Sequence, residues 1–498
     1  MSSSVQPTSR PALSAAVRLQ SFLSDVGALG ALQLLQRLPG LILLPIISHA
    51  FGARGWGIWT LFFVAGELLG ILCDMALDDA LVRFVAGSSS REDQCEYFYS
   101  LVATVLGVSV VMALGLGLLA APVATLIFGG VEAQPYVYLL CFYLVAASFD
   151  NLALNMMRAL NQVRLFVILE GSQVLVRSAL IIGWLLAGQS LWVTMLVYMG
   201  VQLVWLLVEF GSVYALIGFH WPRFHYLREC LAYSWPLVPT RYSNVILTYS
   251  DRLIISSLLG PAAAGVYAAS YDLALLLMQI ATPIRTALFP VISRLWDQGA
   301  RPEAAQYLSR SMKLLLFLII PGAVGLSLLA PQLLRFLSTA EFVSESYFIV
   351  PVAAIGVVCQ ALSLFFNMLL RLHKNTQVIA IGLVVSALVH LVLNFVLIPW
   401  LGIKGGALAS LIGYGLDLGL IAWLAWRQSR FVLPIRQSLV FIAASILMSP
   451  MVWWVSQYDG WPFLLLAVGT GAGIYGVTTL ALRGITLIEI RNLLNRAA

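Results

Sequence analysis

Apolar stretches long enough to cross about 30 Å of hydrocarbon recur along the whole chain. They fall near residues 26–50, 56–80, 98–120, 135–157, 165–187, 190–216, 234–258, 263–292, 312–334, 346–369, 376–398, 405–426, 436–456 and 461–482. Short polar segments separate them, none long enough to hold a soluble domain. The pattern predicts an all-α integral membrane protein of about fourteen transmembrane helices.

Composition agrees. The chain has 498 residues, 61% hydrophobic and only 10% charged, with a mean hydropathy of +0.93, too little polar surface for a soluble fold of this length. Met1 to Ala12 is polar and contains Pro, unlike a cleaved signal peptide, so the first helix is expected to stay. The net charge of +6 does not point to nucleic acid, because the basic residues are scattered through loops and form no patch. Taken alternately, one set of loops carries Arg83, Arg91, Arg158, Arg164, Arg223, Arg228, Arg294, Arg301, Arg310, Lys313, Arg371, Lys374, Arg427, Arg430 and Arg436. The other carries only Arg54, Arg335 and Lys404. By the positive-inside rule the first set is cytoplasmic, as are both termini. The five cysteines are dispersed, without metal-binding spacing, and read as apolar filler; no metal site or cofactor is expected.

Ile46-Ile47-Ser48, Gly52 and Gly57-Ile58-Trp59 recur 208 residues later as Ile254-Ile255-Ser256, Gly260 and Gly265-Val266-Tyr267. Six helices lie between the copies. An even number gives both halves the same orientation, related by an axis along the membrane normal. The reading is an N-terminal lobe at 1–217, a cytoplasmic linker at 218–233, a C-terminal lobe at 234–428, two further helices at 429–483 and an amphipathic cytoplasmic tail at 484–498. In the tail, Thr486 and Glu489 form a capping box beside Leu487, Ile490, Leu493 and Leu494.

Five arginines, Arg37, Arg177, Arg241, Arg252 and Arg285, lie inside these apolar runs. A charge near the bilayer centre costs roughly 3 kcal/mol on insertion scales, so it persists only beside a partner or a watery cavity. Arg241, Asn244, Thr248 and Asp251 share one face of the seventh helix. Asp272, Gln279, Thr282 and Arg285 line the eighth, where Pro283 and Pro290 free backbone carbonyls. Gln33 and Arg37 lie one turn apart in the first. Guanidinium forks suit a diphosphate, so Arg37, Arg241, Arg285 and Arg177, with Gln33, Asn244 and Gln279, are the candidate substrate-binding groups. The competing reading is structural ion pairing, for which Glu170 with Arg177 and Asp251 with Arg252 have suitable positions. Glu67, Asp74 and Asp78 descend one face of the second helix. Together with Asp251, Asp272 and Glu170, Glu67 and Asp74 are candidates for counter-charge or for H⁺ or Na⁺ coupling, both left open by the sequence. The stripes Ser386, His390, Asn394 and Ser410, Tyr414, Asp417 are expected to hydrogen-bond between helices.

Leu231-Ala232-Tyr233-Ser234-Trp235-Pro236-Leu237, Asp251-Arg252, Gly260, Gly265-Val266-Tyr267 and Phe289-Pro290 with Gly299 resemble the central signature of polysaccharide flippases, within the multidrug/oligosaccharidyl-lipid/polysaccharide exporter superfamily. Asn394, Ile398-Pro399, Gly402 and Gly405-Gly406-Ala407-Leu408-Ala409 are similar to its eleventh and twelfth helices, and Gly52, Gly57, Leu81-Val82-Arg83 and Glu489 also fit. The resemblance implies a V-shaped pair of bundles that moves an undecaprenyl-diphosphate-linked glycan from the cytoplasmic to the periplasmic leaflet of a bacterial inner membrane by alternating access. The polyprenyl tail would stay in lipid along helices 13 and 14. A monomer working beside a polysaccharide polymerase and chain-length machinery is implied. The first helix has only Asp25 at its edge, where drug-antiporter relatives often bury an acid, which speaks against cation coupling through that helix.

Two other readings are a peptidoglycan-precursor flippase and a drug exporter of the same superfamily. The rival from another class is a membrane polysaccharide polymerase or ligase. Those enzymes usually place catalytic Arg and His on a large outer loop. The longest outer connection here, around Pro331 to Glu345, has no His.

Overall fold

The computed structural model describes residues 15–88, 90–428 and 433–485 and, before Ile42, the side chains of Leu32, Leu35, Gln36 and Pro39. Among these residues all regular structure is helical. A first group of helices comprises α1 (Ala15–Asp74), α2 (Leu77–Gly87), α3 (Arg91–Leu118), α4 (Ala120–Phe128), α5 (Gln134–Ala159), α6 (Val163–Leu186) and α7 (Leu191–Ile217). After α8 (Leu227–Ser234) a second group follows: α9 (Val238–Leu259), α10 (Pro261–Leu275), α11 (Met278–Asp297), α12 (Arg301–Leu337), α13 (Ala340–Leu372), α14 (Thr376–Leu401) and α15 (Ile403–Gln428). Then come α16 (Ile435–Val455) and α17 (Trp461–Ala481). Each of the apolar runs falls on one or two of these helices.

Eleven described helices are long and apolar enough to cross a membrane, or twelve if α10 and α11, bent by 41°, form one span. About fourteen were expected. The run 26–50 lies mostly before Ile42, outside the span counted in α1 (Ile42–Asp74), and joins the second run across the break at Gly52 (φ 65°, ψ −167°), a conformation that costs little only without a Cβ. In α9, Arg241, Asp251 and Arg252 dilute the apolar residues. The exact number of crossings therefore stays an expectation.

α1, α5, α6 and α7 pack on one another, with α2 and α3 against α5. α9, α10, α13, α14 and α15 make the second bundle, with α12 against α13 and α11 against α12. α16 and α17 pair with each other and lean on α12. An apolar groove of about 530 Å³ lies between these three, with Pro321, Gly325, Met448 and Tyr475 on its walls. The outward faces of α16 and α17 expose Trp453, Leu465, Val468 and Val477, as a lipid-contacting surface requires.

The segment between the bundles is strapped to α3. The Glu96 carboxylate accepts the backbone N–H groups of Arg223 and His225, each at 3.0 Å, and the Ser100 hydroxyl at 2.9 Å. Tyr99 donates to the Gly218 carbonyl at 2.7 Å, and Tyr226 stacks on Tyr97 with ring centres 4.4 Å apart. The tail from Thr486 lies outside the described residues.

Candidate translocation site between the two bundles

Helices α1 and α10 meet where the sequence repeats itself. Gly52 and Gly260, 208 residues apart, both take positive φ, 65° and 91°, and so turn the chain sharply between helices at equivalent points. Beyond them Gly57 and Gly265 pack face to face. A Cβ on Gly57 would stand 1.9 Å from the Pro261 carbonyl oxygen, and one on Gly265 would stand 2.2 Å from that of Ala53. No side chain fits either place.

Two serines, again related by the repeat, make reciprocal bonds across the same seam. Ser48 of the first bundle donates to the Leu337 carbonyl of the second at 3.4 Å, and Ser256 of the second donates to the Ile127 carbonyl of the first at 2.5 Å. The Ala53 N–H donates to the Glu341 carboxylate at 2.7 Å. Each serine satisfies a carbonyl near a helix end that has no partner within its own helix.

At the opposite end of α9 the bundles meet through charge. Arg241 forks onto Asp78 at 2.7 and 3.0 Å and reaches Asp79 at 2.7 Å. Asp78 and Asp79 are thus the counter-ions of an arginine in the other bundle. Because Arg241 reaches across, its face of α9 looks at the first bundle. Asn244, one turn on, is nevertheless exposed. Glu67 of α1 is exposed as well, and half-buried Asp74, at the end of α1 before Asp78 of α2, accepts from Asn151 at 3.3 Å. Asn244, Glu67 and Asp74 thus place polar side chains between the glycine seam and the Arg241 pair.

The remaining cations fall into distinct settings. Arg177 lies over the Tyr198 ring, 4.6 Å from its centre, and donates to the Tyr198 hydroxyl at 3.1 Å and to Gln202 at 3.3 Å. The ion pair expected between Glu170 and Arg177 does not form among the described residues; Glu170 accepts instead from Gln36 at 2.8 Å. Arg252 is buried and pairs with Asp272 at 2.6 Å. Asp251 takes only the Arg252 backbone N–H, with the hydroxyls of Tyr267 and Ser410. Arg285 is half-buried on α11, as is Gln279 six residues before it. Among the described residues Arg285 meets no carboxylate, and its charged neighbour is another cation, Arg371. The side chains of Gln33 and Arg37 lie outside the described residues.

Part of the polar stripes of α14 and α15 bonds between helices: His390 faces Ser410 at 3.2 Å, Tyr414 donates to Thr248 at 3.5 Å, and Ser363 donates to Asp417, whereas Asn394 meets His390 of its own helix at 3.0 Å and the Ser386 hydroxyl finds no partner among the described residues. The sequence reading passed over Asp150, Gln202 and Glu209. Their only signal was a polar residue inside an apolar run.

The profile of the family described as "Polysaccharide biosynthesis protein" matches residues 22–296, more than half of the chain, and that described as "MatE" matches residues 236–396. The chain belongs to the polysaccharide biosynthesis protein family. The succinoglycan biosynthesis transport protein ExoT of Rhizobium meliloti is 23% identical over 91% of this chain and 90% of its own length. The probable low-salt glycan biosynthesis flippase Agl15 of Haloferax volcanii is 22% identical over 47% of this chain. A probable lipid II flippase MurJ of Bdellovibrio bacteriovorus is 28% identical over 46%. The chain spans about half the length of Agl15 and less of that MurJ, 50% and 43%. A solved structure of lipid II flippase MurJ in an inward closed conformation superposes with a TM-score of 0.77, covering 93% of this chain and 99% of that one at 16% identity. An inward-facing multidrug MATE transporter superposes at 0.60, covering 80% and 94% at 13% identity. These likenesses establish the fold of this family member as that of the MurJ and MATE structures. The named relatives are flippases and a transport protein, not enzymes.

Proposed function

We propose that this protein is a flippase that carries a lipid-linked glycan, joined through a diphosphate to an isoprenoid such as undecaprenol, from the cytoplasmic to the periplasmic leaflet of a bacterial inner membrane. Both termini are cytoplasmic in this reading, and the domains are those read from the sequence. The observation that supports it is Arg285, half-buried on α11 with no carboxylate partner among the described residues, together with the exposed polar side chains of Asn244 and Glu67. An unpaired guanidinium in low dielectric is held at a cost that an arriving diphosphate repays through bidentate, charge-assisted bonds. Arg177 is the second anion contact, held on neutral Tyr198 and Gln202 and so free to exchange partners.

Arg241 acts differently from the first expectation. Its fork onto Asp78 and Asp79 closes the cytoplasmic mouth, and substrate phosphate competes for it when that mouth opens. The glycan and diphosphate cross between the bundles while the isoprenoid lies in the apolar groove beside α12, α16 and α17.

The test is flipping of a fluorescent undecaprenyl-diphosphate oligosaccharide in proteoliposomes containing the full chain. Wild type moves the probe, and Arg285→Ala and Arg177→Ala move it at least about tenfold more slowly, the loss of roughly 1.4 kcal/mol of binding. Equal rates in wild type, both variants and empty liposomes defeat the reading. The likeness to MurJ in sequence and fold favours a second substrate, lipid II. Faster flipping of lipid II than of an oligosaccharide repeat probe in the same vesicles selects it.

A further inference from the structure

A second cavity, of about 420 Å³, lies at one end of the apolar groove of α12, α16 and α17. Leu464 of α17 lines both, so the two spaces share a wall. Around the cavity stand the last turn of α12, with Arg335 and Phe336, the short connection from Ser338 to Ala340, and the turn of Asp459 and Gly460 that leads to Trp461 at the start of α17. Arg335 belongs to the sparsely basic set of loops, which the charge asymmetry assigns to the outer face.

The turn before α17 is held in place from two sides. Gln332 donates to the Tyr458 carbonyl at 2.8 Å, and the Tyr458 ring stacks on Phe463 with centres 5.3 Å apart. Arg335 on one wall donates to Asp459 on the other at 3.0 Å. Both partners stay open to solvent, 45% and 75% exposed, so the pair adds little stability of its own. Phe336 and Trp461, 65% and 64% exposed, present two large rings beside it. The neighbouring Leu337 carbonyl accepts Ser48 across the seam, and Glu341 accepts the Ala53 N–H. The cavity therefore adjoins the apolar groove on one side and the seam between the bundles on the other.

We propose that this cavity is a carbohydrate subsite, which holds a neutral sugar of the glycan at the outer mouth while the isoprenoid lies in the groove. The choice of ligand rests on the transport reading. A sugar offers adjacent hydroxyls, each both donor and acceptor, and an apolar C–H face. The Arg335 guanidinium donates to such hydroxyls and the Asp459 carboxylate accepts from them, without either ion leaving the other. The electron-rich faces of Phe336 and Trp461 suit the C–H groups. A phosphate fits less well, because Arg335 is the one cation lining the cavity, and its partner Asp459 would repel an anion. Exposed rings also anchor proteins at a membrane surface, as the position of Trp453 on the lipid face suits it to do. Phe336 and Trp461 differ in bordering a cavity that contains an ion pair.

The test introduces a photoreactive side chain, Phe336→p-benzoylphenylalanine, into the full-length protein, with Trp453→p-benzoylphenylalanine as the lipid-facing control. Proteoliposomes contain either radiolabelled undecaprenyl-diphosphate oligosaccharide or bare undecaprenyl diphosphate, incorporated in both leaflets so that labelling does not depend on flipping. Below saturation, the oligosaccharide probe is expected to label the Phe336 position about tenfold more than the bare probe does, an excess that Arg335→Gln with Asp459→Asn removes. At the Trp453 position the two probes label equally. Equal labelling at the Phe336 position makes that ring an interfacial anchor and overturns the subsite, as does the absence of label from either probe. An excess that survives both replacements overturns the role of the Arg335 and Asp459 pair. Labelling as expected in a protein that flips no probe leaves the subsite standing and removes the transport reading.

Discussion

Arginines in apolar runs were visible in the sequence, yet what each one does depends on residues far along the chain. Arg241 finds Asp78 from 163 positions away, and Arg252 finds Asp272 from 20. Spacing along one helix suggested Glu170 for Arg177, but the bundle supplies Tyr198 and Gln202. The sequence thus marked costly charges and could not sort them into paired, neutrally solvated and unpaired. The sorting has measurable consequences. Arg252→Ala takes the cation from Asp272, which is 40% exposed, and from beside buried Asp251, and is expected to destabilise the protein by about 1–3 kcal/mol, read as a lower melting temperature in detergent. Arg285→Ala leaves no described carboxylate behind, so its melting temperature should stay near that of wild type while flipping falls. A large loss of stability in Arg285→Ala would show that the side chain has a structural partner.

Among the elements, the helices themselves were the most legible feature, since an apolar run of about twenty residues has few alternatives in a membrane. Interruptions were harder to read. Gly52 and Gly260 were noticed as a repeat, but only the fold shows that Gly57 and Gly265 admit no Cβ where α1 meets α10. Gly57→Ala and Gly265→Ala should therefore force the seam apart, at a cost of about 1–3 kcal/mol in the closed arrangement. Cysteine-labelling of a Ser48→Cys reporter should speed up in both variants, whereas Gly183→Ala, on α6 with open space around it, should leave labelling unchanged. Proline has a related role in α11. Pro283 and Pro290 remove N–H groups from a helix already bent against α10. Pro283→Ala restores the bond to the Gln279 carbonyl, and is expected to slow flipping without loss of stability if that helix bends during transport.

Across the whole molecule, the repeat becomes a seam whose two halves exchange equivalent contacts: Ser48 to the second bundle, Ser256 to the first. Glycine packing joins the bundles at one end and the Arg241 fork joins them at the other, with Asn244 and Glu67 exposed. Such a molecule can open at either end, because separate contacts hold each one. Gln173 and Gln202 show why the interior was least legible: each looks like a single tolerated polar residue in its own helix, and only packing of α6 on α7 brings them within 3.4 Å. The most direct test is to lock the seam reversibly. Cysteines at Ser48 and Leu337, in a chain otherwise free of cysteine, are joined by a short reducible linker, and flipping of the lipid-linked oligosaccharide is followed in proteoliposomes. Alternation between bundles predicts that flipping stops when the linker is closed and returns when it is reduced; undiminished flipping with the linker closed would contradict it.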